Sequence, residues 1–216
     1  MDTLIHDLPD ITIRSISVSE MNNNVYLLTA KASGAQLLID AADDLPAIQA
    51  MLQDAAADTA ATTRLAQIAT THQHWDHVRV LPALVAATGA PTLAGKDDAE
   101  AMPVPVDRIL EQGDTCAVDG FELTAVHLRG HTPGSIAFVY QAPEGPAHIF
   151  SGDSLFPGGV GNTQNDPQRF TSLLDDVTAR LFEAYPDDTL VHPGHGSPTT
   201  LGAERPHLEE WRARGW

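Results

Sequence analysis

Apolar and polar positions change period several times along the chain, and each change predicts an element. Ile11-Thr12-Ile13 and Ile16-Ser17-Val18 alternate, which predicts a strand over 11–18. Val25-Tyr26-Leu27-Leu28 and Leu37-Leu38-Ile39 are more continuously apolar and predict strands over 25–30 and 36–41, with Met21-Asn22-Asn23-Asn24 as turn material before them. Leu45 to Ala57 reads as a helix, Leu65 to Thr70 as a strand, and Val78 to Thr88 as a helix ended by Gly89. Pro91 to Ala94 is a short strand and Lys96 to Ala101 a short helix, after which Met102-Pro103-Val104-Pro105 breaks the pattern. Strands follow at Arg108–Leu110, Thr115–Val118, Phe121–Leu128, Gly134–Tyr140 and Ala147–Phe150. Asp166-Pro167 opens a long helix to about Ala184. Thr189–Val191 is the last strand, and Thr199–Arg212 holds one or two short helices. This order predicts an α/β (α+β) fold with two sheets face to face and helices outside. The 216 residues suit a single domain, 1–216, with a large core.

Charge narrows the partners. The net charge is −17, from 29 acidic against 12 basic residues, and the only lysines are Lys31 and Lys96. Without a basic stripe, neither a nucleic-acid backbone nor an anionic membrane surface is an expected partner. The apolar runs are far short of a membrane span. No positive segment followed by an apolar one opens the chain, so no signal peptide is expected. The single cysteine, Cys116, excludes an internal disulfide and reads as a small core residue. Together these features favour the cytoplasm. Oligomeric state is left open.

One stretch demands chemistry. Thr71-His72-Gln73-His74-Trp75-Asp76-His77 places three histidines and an aspartate within six residues. If the chain enters extended, His72 and His74 point to one side. A natural division gives His72 and His74 to one metal ion and Asp76 and His77 to a second, with zinc and its first-row neighbours as suitable occupants. A His-rich surface tract, or Asp76 capping the next helix, is the alternative. Three later strand ends carry a glycine and a ligand-type residue: Arg129-Gly130-His131-Thr132-Pro133-Gly134, Ser151-Gly152-Asp153-Ser154, and His192-Pro193-Gly194-His195-Gly196. A two-metal centre needs this supply of ligands from separate strands.

These segments, in this order, resemble the metallo-β-lactamase-fold hydrolases, and the HxHxDH and GHTPGS forms are similar to the glyoxalase II branch. The resemblance covers roughly residues 10 to 200 and implies a four-layer αββα sandwich. It implies a first metal on His72, His74 and His131, a second on Asp76, His77 and His195, and Asp153 bridging them. Two divalent ions are then expected, zinc first, with iron or manganese as alternatives. A metal-bridging hydroxide would attack the substrate, oriented by Asp76. Asp40, at the end of its strand, would orient a ligand imidazole from behind, or else cap the next helix. Where family members often have Pro-Gly after this aspartate, the chain has Ala41-Ala42.

The segment 155–163, with Phe156, Gly159, Asn162 and Thr163, reads as a substrate-facing loop. Asn162-Thr163 stands where relatives usually carry an arginine, and only 21 residues follow His195, too few for the glutathione-binding helical domain of full glyoxalase II enzymes. Neither feature suits glutathione. No lysine or arginine lies between Gly130 and Gln168. The expected substrate is therefore a thioester of a small, largely uncharged thiol, with acyl- or formyl-mycothiol as its sharp form and a glyoxalase II-like substrate beside it. The chain, including its Leu-Gly-Ala-Glu-Arg-Pro-His stretch at 201–207, resembles actinobacterial hydrolases associated with mycothiol-dependent aldehyde detoxification. The alternatives are hydrolysis of another ester or a lactone, a mononuclear iron persulfide dioxygenase using His72, His131 and Asp153, and a non-catalytic binding domain. Of the other histidines, His192 is expected in the core or behind the ligands and His127 inside a strand. His6, His148 and His207 are expected at the periphery. Trp211 and Trp216 could pack on the body or on another subunit.

Overall fold

The structure is a computed structural model and describes residues 3–215. Seven strands form the first sheet in chain order: β1 (Leu4–Asp7), β2 (Ile11–Val18), β3 (Asn23–Ala30), β4 (Ala35–Ile39), β5 (Arg64–Ala69), β6 (Thr92–Gly95) and β7 (Arg108–Leu110). β1 to β4 pair antiparallel, and β4 to β7 pair parallel through the crossovers that carry the helices. The second sheet is built from β8 (Thr115–Val118), β9 (Phe121–His127), β10 (Ile136–Tyr140) and β11 (His148–Gly152). A small hairpin, β12 (Leu155–Phe156) with β13 (Gly159–Val160), stands apart from it. β14 (Leu190–Pro193) and β15 (Thr199–Thr200) complete the sheet in the order β15-β14-β11-β10-β9-β8. β11 and β14 run parallel.

The continuously apolar strands are explained by burial on both faces. Leu37 and Ile39 of β4 point between the sheets, where they join Leu28, Leu123, Phe138 and Phe150. Leu38, between them, points the other way with Leu27 onto α1 (Leu45–Asp54), where Ile48 and Met51 are buried. On the second sheet, Val139 and Ile149 face outward onto Leu173, Leu174 and Val177 of the later helix. Three apolar layers thus separate four layers of structure, the expected αββα sandwich.

The helices differ from their sequence reading in three places. The expected helix 78–88 is two: α2 (Trp75–Val78) and α3 (Leu81–Thr88). Pro82 lies in the first turn of α3, and a proline there cannot continue a helix from Val78 because it lacks an N–H and crowds the preceding turn. The expected helix 166–184 is α4 (Pro167–Val177), capped by Asp166 accepting from the Gln168 and Arg169 amides, and then a π turn over Thr178–Phe182. The helix at Lys96–Ala101 shrinks to a 3-10 turn at Ala99–Ala101. β1, the hairpin and β15 had no counterpart in the pattern. The chain ends in α5 (Leu201–Glu204), a 3-10 turn and α6 (Leu208–Arg214). Trp211 is buried against the body beside Phe182; Trp216 lies outside the described residues. Cys116 is buried in the inter-sheet core, as expected of a small core residue, and burial pushes its thiol up to about 11.

Candidate metal centre

Five strand ends supply the centre. β4 ends into Asp40, β5 into residues 70–77, β9 into His131, β11 into Asp153 and β14 into His195. Asp40 has φ 61, a left-handed backbone that aims its carboxylate back across β5. It accepts from the Thr71 amide (2.7 Å), the Thr71 hydroxyl (2.7 Å) and His77 Nδ1 (2.8 Å). The helix-capping alternative fails, because Asp44 caps α1 by accepting from the Ala47 amide. Asp40 instead turns His77 so that Nε2 faces the cleft.

His131, His195 and His72 are held the same way. His131 Nδ1 donates to the Asn162 carbonyl (2.8 Å) and His195 Nδ1 to the Met21 carbonyl (2.9 Å). Thr71 gives its proton to Asp40, so its oxygen accepts from His72 Nδ1 (3.0 Å). Each outer contact places the ring proton on Nδ1 and leaves Nε2 as a lone pair aimed inward.

The inward atoms converge. His72 Nε2 and His74 Nδ1 are 3.1 Å apart, as are His77 Nε2 and His195 Nε2. Asp76 Oδ2 is 3.5 Å from His77 Nε2 and 3.3 Å from His195 Nε2. Asp153 stands between the two sets: Oδ1 is 3.4 Å from His77 Nε2, and Oδ2 is 3.4 Å from His195 Nε2 and 3.6 Å from His131 Nε2. His131 Nε2 and Asp153 Oδ1 are buried with no hydrogen-bond partner, an arrangement that costs free energy unless a cation completes it. The ring centroids of His72 and His74 are 4.8 Å apart, and those of His77 and His195 5.0 Å, closer than rings lying end to end at a 3.1 Å nitrogen contact, so the paired nitrogens converge on one side. Such spacing suits nitrogens held about 2.0–2.1 Å from one zinc-sized ion. The donor set therefore fits two cations, in the groups His72–His74–His131 and Asp76–His77–His195, linked by Asp153.

Electrostatics favour cations here. Burial opposes the charge on Asp153, but the His195 and His77 imidazoles beside it hold its carboxyl well below the usual range. Asp76 is lowered likewise, against burial, by His195 and Asn23. Burial, joined by the neighbouring His77, His131 and His74 and opposed by Asp153, pushes His72 well down, so it is a neutral donor. Against the same burial, Asp40 and Asp153 raise His77 to about 10, and Asp153 and Asp76 raise His195 to about 10. Protons and metal ions compete for these two nitrogens.

Gly194 makes the close packing feasible: a Cβ there would sit 2.3 Å from Asp153 Oδ1. Two residues that the sequence reading passed over complete the frame. Asn23, 0 % exposed, donates from Nδ2 to Asp76 Oδ2 (2.9 Å). Asp98, also 0 % exposed, accepts from the Gln73 amide (3.0 Å), the Thr132 hydroxyl (2.6 Å) and the Gly134 amide (2.7 Å), and so ties the two loops that present His72, His74 and His131. Nothing but burial distinguishes Asp98 from its neighbour Asp97, so only the fold reveals it.

The remaining sequence expectations separate. Phe156 is half-buried, its ring 6.5 Å from that of His195. Gly159 is half-buried and the Asn162 side chain is exposed, while Thr163 is buried. His127 donates from Nε2 to the Pro133 carbonyl, and His207 is exposed. His192 is buried, as expected. His148 is not peripheral: at 1 % exposure it faces inward from β11, two residues before Phe150 on the same side of the strand. His6, from β1, is half-buried against both.

The family model of the metallo-beta-lactamase superfamily matches residues 18–195. The chain belongs to that superfamily. A hydroxyacylglutathione hydrolase of Fuscovulum blasticum is 34% identical over 175 residues, covering 81% of this chain and 62% of the relative. The chain therefore spans about three-fifths of that relative's length. The solved structure of TTHA1623 in a di-iron-bound form is 34% identical, covers 88% of this chain and 96% of its own, and superposes with a TM-score of 0.70. BLEG-1 B3 metallo-beta-lactamase, at 24% identity with 92% and 99% coverage and a TM-score of 0.80, shares the fold. Membership implies divalent metal ions, and the clustered side chains described above could hold them. Among the described residues, no helix is long and apolar enough to cross a membrane.

Proposed function

We propose that this protein is a dinuclear metal-dependent hydrolase of a thioester of a low-molecular-weight thiol. The observation that carries the reading is the convergence of seven donor side chains in two sets joined by Asp153. The relative named hydroxyacylglutathione hydrolase and the di-iron-bound form of TTHA1623 support it. Two dications held there would lower the pKa of a shared water from about 15.7 toward 7 and polarise the substrate carbonyl. The chain's own residues do the rest. Asp76, kept ionised, orients the attacking water by accepting its hydrogen bond, and Asn23 keeps that carboxylate in place. Asp40 and the Asn162 carbonyl fix the rings of His77 and His131. The leaving thiolate, with a pKa of about 8.5, departs without a strong acid.

The substrate reading is sharper still: a small thiol without carboxylates, such as an acyl- or formyl-mycothiol, in the cytoplasm. Charge near the site supports this. Arg79 is paired with Asp43, and Arg129 with Asp176. Arg169 donates to the Gly130 and His131 carbonyls and to Gln164. These guanidinium groups are already committed, which disfavours anchoring the carboxylates of glutathione.

Turnover of a thioester panel by metal-analysed protein tests the reading. Two ions per chain with hydrolysis is the expected result. One iron with oxygen uptake would replace it with dioxygenation, and no turnover of any thioester would end it. Mycothiol and glutathione thioesters sharing one acyl group are then compared. Equal or better kcat/KM on the glutathione compound would reject the mycothiol form.

A further inference from the structure

The hairpin of β12 and β13 leaves the centre at one end and returns to it at the other. Asp153 precedes it by two residues, and Asn162, whose carbonyl accepts from His131, follows it by two. Gly161 closes the return so tightly that a Cβ there would lie 1.7 Å from the Asp153 carbonyl oxygen. Phe156, on the outgoing strand, faces His195. Each strand has only two residues, too short a ladder to hold this shape by itself.

The C-terminal segment holds it instead. Gly158, at the tip, donates its N–H to Glu204 Oε2 (2.8 Å), and its carbonyl accepts from Arg214 Nη2 (3.2 Å). The two sides of the hairpin tip are thus gripped by a carboxylate on α5 and a guanidinium on α6. Glu204 is 6 % exposed, and its other oxygen accepts from the Thr199 hydroxyl (2.6 Å), so the carboxylate is itself fixed. Val160 of β13 packs with Leu208 onto the cluster that contains Trp211. A buried carboxylate committed to a backbone amide gives a charge-assisted bond, roughly twice as strong as a neutral one.

We propose that Glu204 and Arg214 are positioning residues for the substrate side of the metal centre. By fixing Gly158 they keep Phe156 beside His195 and the Asn162 carbonyl on His131. The inference deepens the hydrolase reading, and it rests on that reading only for its kinetic test.

The test uses the full, metal-loaded chain as Glu204→Ala, Glu204→Gln and Arg214→Ala. In Glu204→Ala, amide exchange at 156–162 rises about tenfold or more, and KM for the best thioester rises about five- to tenfold with kcat within about twofold. Glu204→Gln keeps an acceptor for the Gly158 amide and restores both. Arg214→Ala shifts both in the same direction by less, and it decides the matter if Glu204→Ala does not fold. A merely structural role would lower the melting temperature and leave exchange at the hairpin and KM at wild-type values; that outcome overturns the proposal. If the wild-type chain turns over no thioester, the hydrolase reading fails, while hairpin exchange still decides the clamp.

Discussion

Two groups of histidines in this molecule have the same closest contact and opposite geometry. In the metal centre, His72 and His74 nitrogens are 3.1 Å apart with ring centroids at 4.8 Å and planes inclined at 83°. In the inter-sheet core, His148 Nδ1 and His192 Nε2 are also 3.1 Å apart, but the centroids are at 5.3 Å and the planes differ by 2°. A longer centroid separation at an equal nitrogen contact means that the second pair lies end to end along the nitrogen–nitrogen line. Each nitrogen then points at the other, which is an N–H···N hydrogen bond between neutral rings. The first pair points at a third position. The surroundings differ in the same sense. Asp40, Asp76 and Asp153 surround the first group, whereas Tyr26, Phe150 and Tyr140 pack on the second. Although His6, His148 and His192 lie close enough together to share an ion, ring direction separates the two groups where proximity does not.

The largest expected effect comes from removing donors. Asp153→Ala or His72→Ala should strip most bound metal and reduce hydrolysis by roughly 10³-fold or more, read by metal analysis and turnover. Full activity in either variant would erase the distinction between the two groups. Asp76→Asn should keep the fold and part of the metal while losing about 10²–10³-fold in kcat, because an amide ligates poorly and cannot orient the water as a carboxylate does. Near-wild-type turnover with both ions bound would remove Asp76 from its role. Asp98→Asn should weaken metal affinity by about 10- to 100-fold, since the two loops that it ties lose their common anchor; competition against a chelator measures this.

The smallest effect concerns the second group. Burial, with its neighbouring histidines, lowers His192 to about 3, and burial with His6 beside it lowers His148 to about 4. Both are neutral in the fold and bind protons near 6.5 when unfolded. The unfolded state therefore takes up protons first, and stability falls as pH drops from about 6.5 toward 4, by an amount of the order of 2 kcal/mol for each histidine at pH 5. His148→Phe should flatten the difference between urea midpoints at pH 7 and pH 5 relative to wild type. An unchanged pH difference would mean that the pair carries no such linkage.

The sequence revealed the metal centre better than its frame. The HxHxDH segment and the ligand-type residues after glycines at three later strand ends are visible in one dimension, and the family resemblance implied how the seven donors would be grouped. Asn23 and Asp98 act only through burial and through partners distant in sequence, which no local pattern encodes. The position of His148 is legible, because alternation along β11 places it on the face of Phe150. Pro82 likewise marked the break between α2 and α3. The hairpin was not legible, since two-residue strands leave no periodicity and their geometry is set by Glu204 and Arg214 from the far end of the chain.

The most direct measurement is a zinc titration of metal-stripped protein, followed by calorimetry, on wild type, His195→Ala and His148→Phe side by side. Wild type should bind two equivalents, His195→Ala one equivalent tightly, and His148→Phe two with unchanged affinity. A third equivalent in wild type that vanishes in His148→Phe, or a single equivalent in wild type, would contradict the assignment of both groups.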